Sequence, residues 1–402
     1  MDIWDYNLRH LAAIVQIAQT GTMGAAARAV NLTQPALTQA LARVEHQLAV
    51  PLFERRHDGM VPTPAAQVLV PRISAALNHA ISPHVTTARL RALLALADSG
   101  SYLGASLATG LAVPTLHRAV KDLSLSLRKT LVERRSNSVA LTEAGQALAR
   151  AFRLARVELE AGLAEIEALK GREVRRIVVG AMPLSRARIL PAAVARFLRR
   201  HPKVHIAIAE GARVELVDRL RNGMIDMMIG ALRQPLVEPD LAQTALFEDE
   251  PIIVARTGHP LAGVQPDLGA LARYAWILPS RGAPLRDSWE AMFAGADIAT
   301  PPVPLESGSV MTIRQVLLES DFLTLVSRDQ VAVELEARWL TSLGKVPSAF
   351  HRVIGVTTRA SWRPTAVQAE FLADLAAVAR PCPAGADADQ GLPAPHSAVS
   401  AM

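Results

Sequence analysis

From Thr22 to Glu45 the alternation of apolar and polar positions predicts two short helices joined by a tight turn. Leu37, Leu41, Val44 and Leu48 recur at helical spacing and make one apolar stripe, with Gln34, Thr38, Gln39 and Arg43 on the opposite face. Thr33 can cap the second helix through its hydroxyl, and Pro35 falls in the first turn, where a missing N–H costs little. Upstream, Ala25, Ala26, Ala27 and Ala29 form a small-residue helix able to pack closely on that stripe. This is the layout of a helix-turn-helix whose short polar side chains reach base edges. The alternative is an alanine-rich helical hairpin in an unrelated bundle.

The pattern then repeats. A shift of 79 positions lays this region on residues 90–144 without a gap. Leu11, Ala26, Leu37, Leu41 and Leu48 fall on Leu90, Ala105, Leu116, Val120 and Leu127. Thr33 and Gln34 become Ala112 and Val113, whereas Thr38, Gln39 and Ala42 become His117, Arg118 and Lys121. The core stripe is kept while the outer face trades amides for charge. Amides pair with adenine and guanine edges; cations mostly meet phosphates, which position without specifying. The first unit is expected to read sequence. The second would add affinity or act as a dimerisation spacer, the alternative being a duplicate that binds no DNA. Arg55 and Arg56, with their counterparts Arg134 and Arg135, follow apolar pairs at a polar turn and could lie along the backbone of an adjacent groove. A solvated charge pair on each hairpin is the other reading.

Glu143 to Lys170 carries an unbroken helical stripe through Leu148, Phe152, Ala155, Leu159, Leu163, Ile166 and Leu169, suited to a helical partner. The first unit's equivalent, Pro64 to Ala80, holds Pro71 in mid-pattern, where proline is expected to end or kink a helix. Beyond Gly171 the period changes. Strands at 176–180, 204–208 and 227–230 alternate with helices at 189–200 and 214–222, predicting parallel pairing in an α/β sheet. Met224, Met227 and Met228 read as core fillers.

With 402 residues, half of them hydrophobic and 20% charged, the chain is globular with several domains. Its net charge of +6 is compatible with nucleic acid without proving it. The opening lacks a basic segment followed by an apolar core, no apolar run approaches a membrane span, and one cysteine, Cys382, forbids an internal disulfide. A cytoplasmic location is expected. No Gly-x-Ser-x-Gly elbow or phosphate loop is present. His201 and His205 stand four apart, but Pro202 spoils a helical metal face, and His259 in Gly-His-Pro reads as a structural corner. No catalytic set, metal or cofactor is expected. The competing class is a solute-binding protein or ligand sensor without sequence-specific DNA binding.

The run Leu32-Thr33-Gln34-Pro35-Ala36-Leu37-Thr38, with Leu11, Gly21, Ala25-Ala26, Val44-Glu45 and Pro51 to Arg56, resembles the N-terminal domain of LysR-type transcriptional regulators. PAAVARFLRRHPKVHIAI, ELVDRLRNGMIDMMIG and RTGHPLA resemble that family's effector-binding region, particularly its protocatechuate- and galactose-linked branch. The usual member has one helix-turn-helix unit, so the second puts the DNA geometry in question. The resemblance implies an α/β multidomain chain: tandem winged helix-turn-helix units at 1–80 and 81–142, a linker helix at 143–170, and an effector domain at 171–380. That domain would be two-lobed and periplasmic-binding-protein-like, with lobe one at 175–253 and 328–380 and lobe two at 254–327. Crossings would fall near Ile253-Val254 and Ser327-Arg328, and 381–402 would form a disordered tail.

In such a fold ligands sit beyond the carboxyl ends of strands. That nominates Met182, Pro183, Leu184, Ser185, Gly211, Leu232 and Arg233 on one wall and Ser280, Arg281 and Ser307 on the other. Arg233 and Arg281 are the groups to hold a carboxylate, although each alone could be a solvated surface arginine. The implied partners are double-stranded DNA, a small effector (an organic or aromatic acid, with a sugar second), RNA polymerase, and a second or fourth copy of the chain, with no membrane. The long helix would pair two subunits. The alternative is a helix folded back on its own core.

Overall fold

The computed structural model describes residues 3–57, 59–79, 85–135, 138–172, 175–345 and 352–379. The first unit runs α1 (Leu8–Thr20), α2 (Met23–Ala29), α3 (Gln34–Leu48), the hairpin β1 (Phe53–Arg56) and β2 (Gly59–Pro62), then α4 (Pro64–His79). Thr22 and Thr33 cap α2 and α3 with their hydroxyls, as their position before each apolar stripe requires. The half-buried Glu45 carboxylate accepts from the backbone N–H of Leu52 at 2.6 Å and Phe53 at 3.3 Å, so α3 is tied to the start of the wing. Gly59 has φ +136°, and its N–H-bearing neighbour Met60 donates to the Gly21 carbonyl at 2.8 Å. A side chain at Gly59 would meet that carbonyl, so the residue's freedom is used here.

The second unit repeats the plan as α5 (Thr87–Ser99), α6 (Tyr102–Thr109), α7 (Val113–Leu127), β3 (Val132–Arg135), β4 (Ser138–Leu141) and the long α8 (Glu143–Leu169). Thr142 does what Thr63 does, donating to a carbonyl at the wing base while capping the helix that follows. Two supports are lost: Ala112 gives α7 no side-chain cap, and Ser124 stands at the register of Glu45.

Pro71 does not end α4. The helix continues from Pro64 to His79, and the Pro71 carbonyl accepts from Arg363 at 3.3 Å. Pro71 itself is exposed; packing outweighs the lost hydrogen bond because the other face of α4, with Leu69, Arg72, Ile73 and Ala76, is buried against α8 and the common core. Along α4 the partners run backwards along α8. Lys170 reaches the Leu48 carbonyl ahead of α4, Leu69 and Arg72 lie against Gly162, and His79 sits within the field of Glu158. The two helices are therefore antiparallel neighbours. One continuous buried cluster, from Ile3 through Ala76 and Leu116 to Ile166, serves both units and α8 together. The long helix thus finds its partner within the chain.

Lobe one is a mixed sheet in the order β6-β5-β7-β14-β8. Its elements are β5 (Arg175–Ala181), α9 (Ile189–Arg200), β6 (Val204–Glu210), α10 (Arg213–Arg221), β7 (Met227–Ala231) and β8 (Leu241–Asp249), completed late in the chain by β14 (Arg352–Arg359) and α15 (Ala366–Ala379). The pairings β5–β6 and β5–β7 are parallel. Phe197 of α9 and Phe371 of α15 meet edge to face at 5.4 Å over the sheet.

Lobe two is ordered β11-β10-β12-β9-β13. In chain order it comprises β9 (Pro251–Arg256), α11 (Leu268–Leu271), β10 (Trp276–Leu278), α12 (Pro284–Ala294), β11 (Leu305–Glu306), α13 (Val310–Leu318), β12 (Leu323–Ser327), α14 (Ala332–Glu336) and β13 (Leu340–Lys345). The lobe boundaries differ from expectation. The first crossing precedes Pro251, because β9, buried along almost its whole length, is a central strand of lobe two. Residues 328–345 also stay in lobe two rather than returning to lobe one. Ser327 and Gln330 form a capping box that turns the chain into α14, and β13 then pairs with β9. The return falls between Lys345 and Arg352; the expected tail from 381 lies outside the described residues.

Arg72 joins all three parts. Its side chain is 6% exposed, and all five of its N–H groups have partners. Glu165 accepts two, Glu158 one, and the carbonyls of Arg363 and Pro364 in lobe one accept the others at 2.8 and 3.4 Å. Burial opposes the charge, but the two carboxylates outweigh it and hold the Arg72 pKa above its ordinary value. Truncating it strands two carboxylates. Arg72→Ala is expected to cost about 3–5 kcal/mol, read as a lowered urea midpoint, and Arg72→Lys to recover only part of this because its point charge cannot fork.

His259 does form a structural corner. Its Nδ1 accepts from the Leu261 N–H at 3.0 Å, and its Nε2 donates to the Asp321 carbonyl at 3.2 Å, which together require the neutral ring. Burial lowers its pKa below the usual 6.5. A depressed folded pKa means the contribution is complete above the free imidazole value and fades as pH falls through the folded one. Urea unfolding of lobe two should therefore lose stability from pH 7 towards pH 5. His259→Asn should flatten that slope.

Candidate nucleic-acid interface and effector cleft

The polar face of α3 is free. Gln34, Pro35, Thr38, Gln39 and Arg43 are exposed while Leu37, Leu41 and Val44 beneath them are buried. Thr33 spends its oxygen on the cap, accepting from Ala36 N–H at 3.4 Å, and Thr38 donates to the Gln34 carbonyl at 3.0 Å. The amides of Gln34 and Gln39 and the guanidinium of Arg43 are thus the outward-facing polar groups of this helix. Arg55 is exposed on the wing; Arg56 pairs with Glu54 at 2.8 Å with both side chains more than half exposed, a weak pair that phosphate can displace.

On α7 His117, Arg118 and Lys121 are exposed. The His117 ring leans on Tyr102 at 5.3 Å between centroids. Where Glu45 ties helix to wing in the first unit, Ser124 leaves a cavity of about 600 Å³ between α7 and the β3–β4 hairpin. His117, Lys121, Arg128 and Lys129 line it, with Val120, Leu131 and Val139 as its floor. Arg134 and Arg135 lie in β3 opposite Val139 and Ser138; their side chains are outside the described residues.

The effector residues divide. Pro183 meets Gly308 across the lobes, close enough that a Cβ at Gly308 would lie 3.1 Å from its ring. Ser307 lies beside that contact, its hydroxyl accepting from Ser309 N–H at 3.1 Å. Met182 is half-buried and packs against Gly230. Leu184 and Ser185 are buried, and the Ser185 hydroxyl donates to the Met182 carbonyl at 2.9 Å, so it holds the turn together. Gly211 sits against Glu215 and Leu216, and Leu232 is wedged against Gly355 of β14. Arg233 is half-buried, Ser280 and Arg281 are exposed, and neither arginine forms an ion pair among the described residues.

Two features escaped sequence reasoning. Arg286, 4% exposed in the first turn of α12, binds Glu290 at 2.8 Å, while its Nη1 stands 3.8 Å from Glu306 without a hydrogen-bond partner among the described residues. At the hinge, Asp249 accepts from the Ser327 hydroxyl and from Arg352 Nε, both at 2.5 Å, bolting the ends of β8 and β12 to the start of β14. Three residues so far apart in sequence carry no motif that could have announced them.

Against known proteins, residues 170–380 match the LysR substrate binding domain, and the model of the bacterial regulatory helix-turn-helix protein, lysR family, matches twice, at 8–67 and 87–146. The chain is 31% identical over 366 residues to the HTH-type transcriptional regulator GalR of Pseudomonas putida, covering 88% of this chain and 92% of that one. It is 30% identical over 283 residues to the SDS degradation transcriptional activation protein of a Pseudomonas species, covering 68% and 89%. Full-length OxyR of Pseudomonas aeruginosa superposes with a TM-score of 0.56 at 25% identity, over 78% of this chain and all of that one. CbnR, a LysR family regulator, shares the fold with a TM-score of 0.51 at 18% identity, over 73% and 98%. Two family helix-turn-helix matches, a substrate-binding domain over half the chain and relatives that are transcriptional regulators give one conclusion: this chain belongs to the LysR family, as a DNA-binding regulator with an effector-binding domain.

Proposed function

We propose that the first unit reads operator sequence through Gln34, Thr38, Gln39 and Arg43 of α3 in the major groove, with Arg55 and Arg56 along the backbone. The observation that carries this is the free polar face of α3 on a helix whose cap and wing are both locked, by Thr33 and by Glu45. A reading helix must be held this firmly, because bidentate base contacts tolerate little displacement. His117, Arg118 and Lys121 of the second unit contribute cationic contacts to phosphate. RNA polymerase and further copies of the chain are its protein partners. It works inside the cell without catalysing a reaction; among the described residues no helix is long and apolar enough to cross a membrane.

The effector is a small organic acid taken between the lobes, where Pro183, Ser307 and Gly308 approach one another. Arg233 and Arg281, on opposite lobes and without an ion pair among the described residues, close on its carboxylate. A ligand that bridges both lobes binds the closed arrangement better than the open one, which is the differential affinity that any switch requires.

Electrophoretic mobility and footprinting on the promoter region test the DNA half. Gln34→Ala should flatten discrimination between operator and competitor DNA by about 1–3 kcal/mol per lost base contact. Arg118→Ala should weaken all sequences alike and lower the salt slope by about one. An unchanged footprint for Gln34→Ala would refute the choice of reading helix. For the cleft, calorimetric titration with a panel of aromatic and aliphatic carboxylates should find a binder whose affinity falls at least about tenfold in Arg233→Met or Arg281→Met, the loss of one charge-assisted contact. Sugars binding in place of acids would reverse the assignment of class.

A further inference from the structure

We propose that one chain is by itself a two-headed DNA reader, in which α4 and α8 build inside a single polypeptide the helix pair that sets two winged units about an approximate two-fold axis. The proposal rests on the reading of α3 as a DNA contact and adds how many heads each chain brings. The 79-residue repeat makes α4 the counterpart of the first turns of α8. The helices pack antiparallel, and His79 at the end of α4 lies within the field of its own repeat equivalent, Glu158, as a two-fold crossing the helix pair would place them. Ala76 and its repeat equivalent Ala155 are both buried in the common core, at 1% and 2% exposure. Gly162 lets α4 approach at Leu69 and Arg72, and the five-donor Arg72 network locks the pair. A rotation about the axis preserves direction along it, so any face the first unit turns that way the second turns too. The outer faces of α3 and α7 are both exposed.

The two heads are unlike, so the site should be unlike in its halves. The first head has a capped helix, two amides and a wing tied by Glu45. The second has an uncapped helix, three cationic or titratable side chains and a basic cavity where the tie would be. The expected operator has one half of strict sequence and an adjacent half held by phosphate contacts, whose strength follows salt rather than base. A symmetric palindrome is the requirement of two identical heads, which this chain does not have.

Two measurements decide. In a Cys382→Ser background, Leu69→Cys with Gly162→Cys places one thiol on each helix, and oxidation should give a bridged product that still runs at single-chain mass without reductant. A band at twice that mass would show the helices pairing between chains and overturn the proposal. Second, a labelled promoter duplex titrated well above its dissociation constant, with the complex mass measured by sedimentation, should show two adjacent protected segments in the one-chain complex. The triple variant His117→Ala, Arg118→Ala, Lys121→Ala should shorten protection to one segment and reduce the salt slope by about two to three. Unshortened protection, or two chains needed for two segments, would overturn the two-headed geometry. No protection at all by the wild-type chain would strike down the α3 reading and the DNA half of this proposal, while the cross-link result stands independently of DNA.

Discussion

Everything in this chain is hung on the antiparallel contact of α4 with α8, and that contact turns on one buried guanidinium. A charge as enclosed as Arg72 would be prohibitive unpaired. Here it is met by two carboxylates on α8 and two carbonyls of lobe one, so its five donors specify a single arrangement of three segments: the first unit's last helix, the second unit's linker, and the effector domain. An apolar residue of similar volume could fill the space without distinguishing that arrangement from a slipped one. Because both units feed one core, neither winged unit can shift on α8 without disturbing the other.

The duplication separates the positions of a winged helix that are kept from those that change. Buried positions survive it: Leu37, Leu41 and Leu48 against Leu116, Val120 and Leu127, and the threonine that caps the helix after the wing. What changed is the cap of the recognition helix, its outer face and the glutamate that ties helix to wing. Those losses fall together on the second unit, which fits the proposed division of base reading to the first unit and phosphate contact to the second.

The effector domain connects to that head at the edge of lobe one, through Arg363 on Pro71 and Arg72, while its hinge lies at Asp249, Ser327 and Arg352. A ligand drawing the lobes together would act on the hinge bolt directly. Lobe one is the part of the effector domain that contacts α4, through Arg363 and Pro364. Among the described residues, Arg186 and Arg213 in lobe one and Arg286 in lobe two each keep a buried guanidinium nitrogen without a hydrogen-bond partner.

Local rules settled much of this protein in advance. Periodicity gave the helices and strands, because burial of one face dictates spacing, and α9 begins and ends at Ile189 and Arg200, where its stripe does. The tandem repeat and the family were also legible, since both are carried by runs of residues in fixed register. Three things were not. Pro71 is a helix breaker by local energetics, yet α4 runs through it because packing on α8 stabilises more than the missing bond costs. The lobe crossings moved because strand membership follows from which neighbour completes the ladder, and β13 finds β9 only in three dimensions. Arg72 and the Asp249 bolt join residues dozens to hundreds of positions apart, and no local pattern records a contact between groups that only the folded chain brings together.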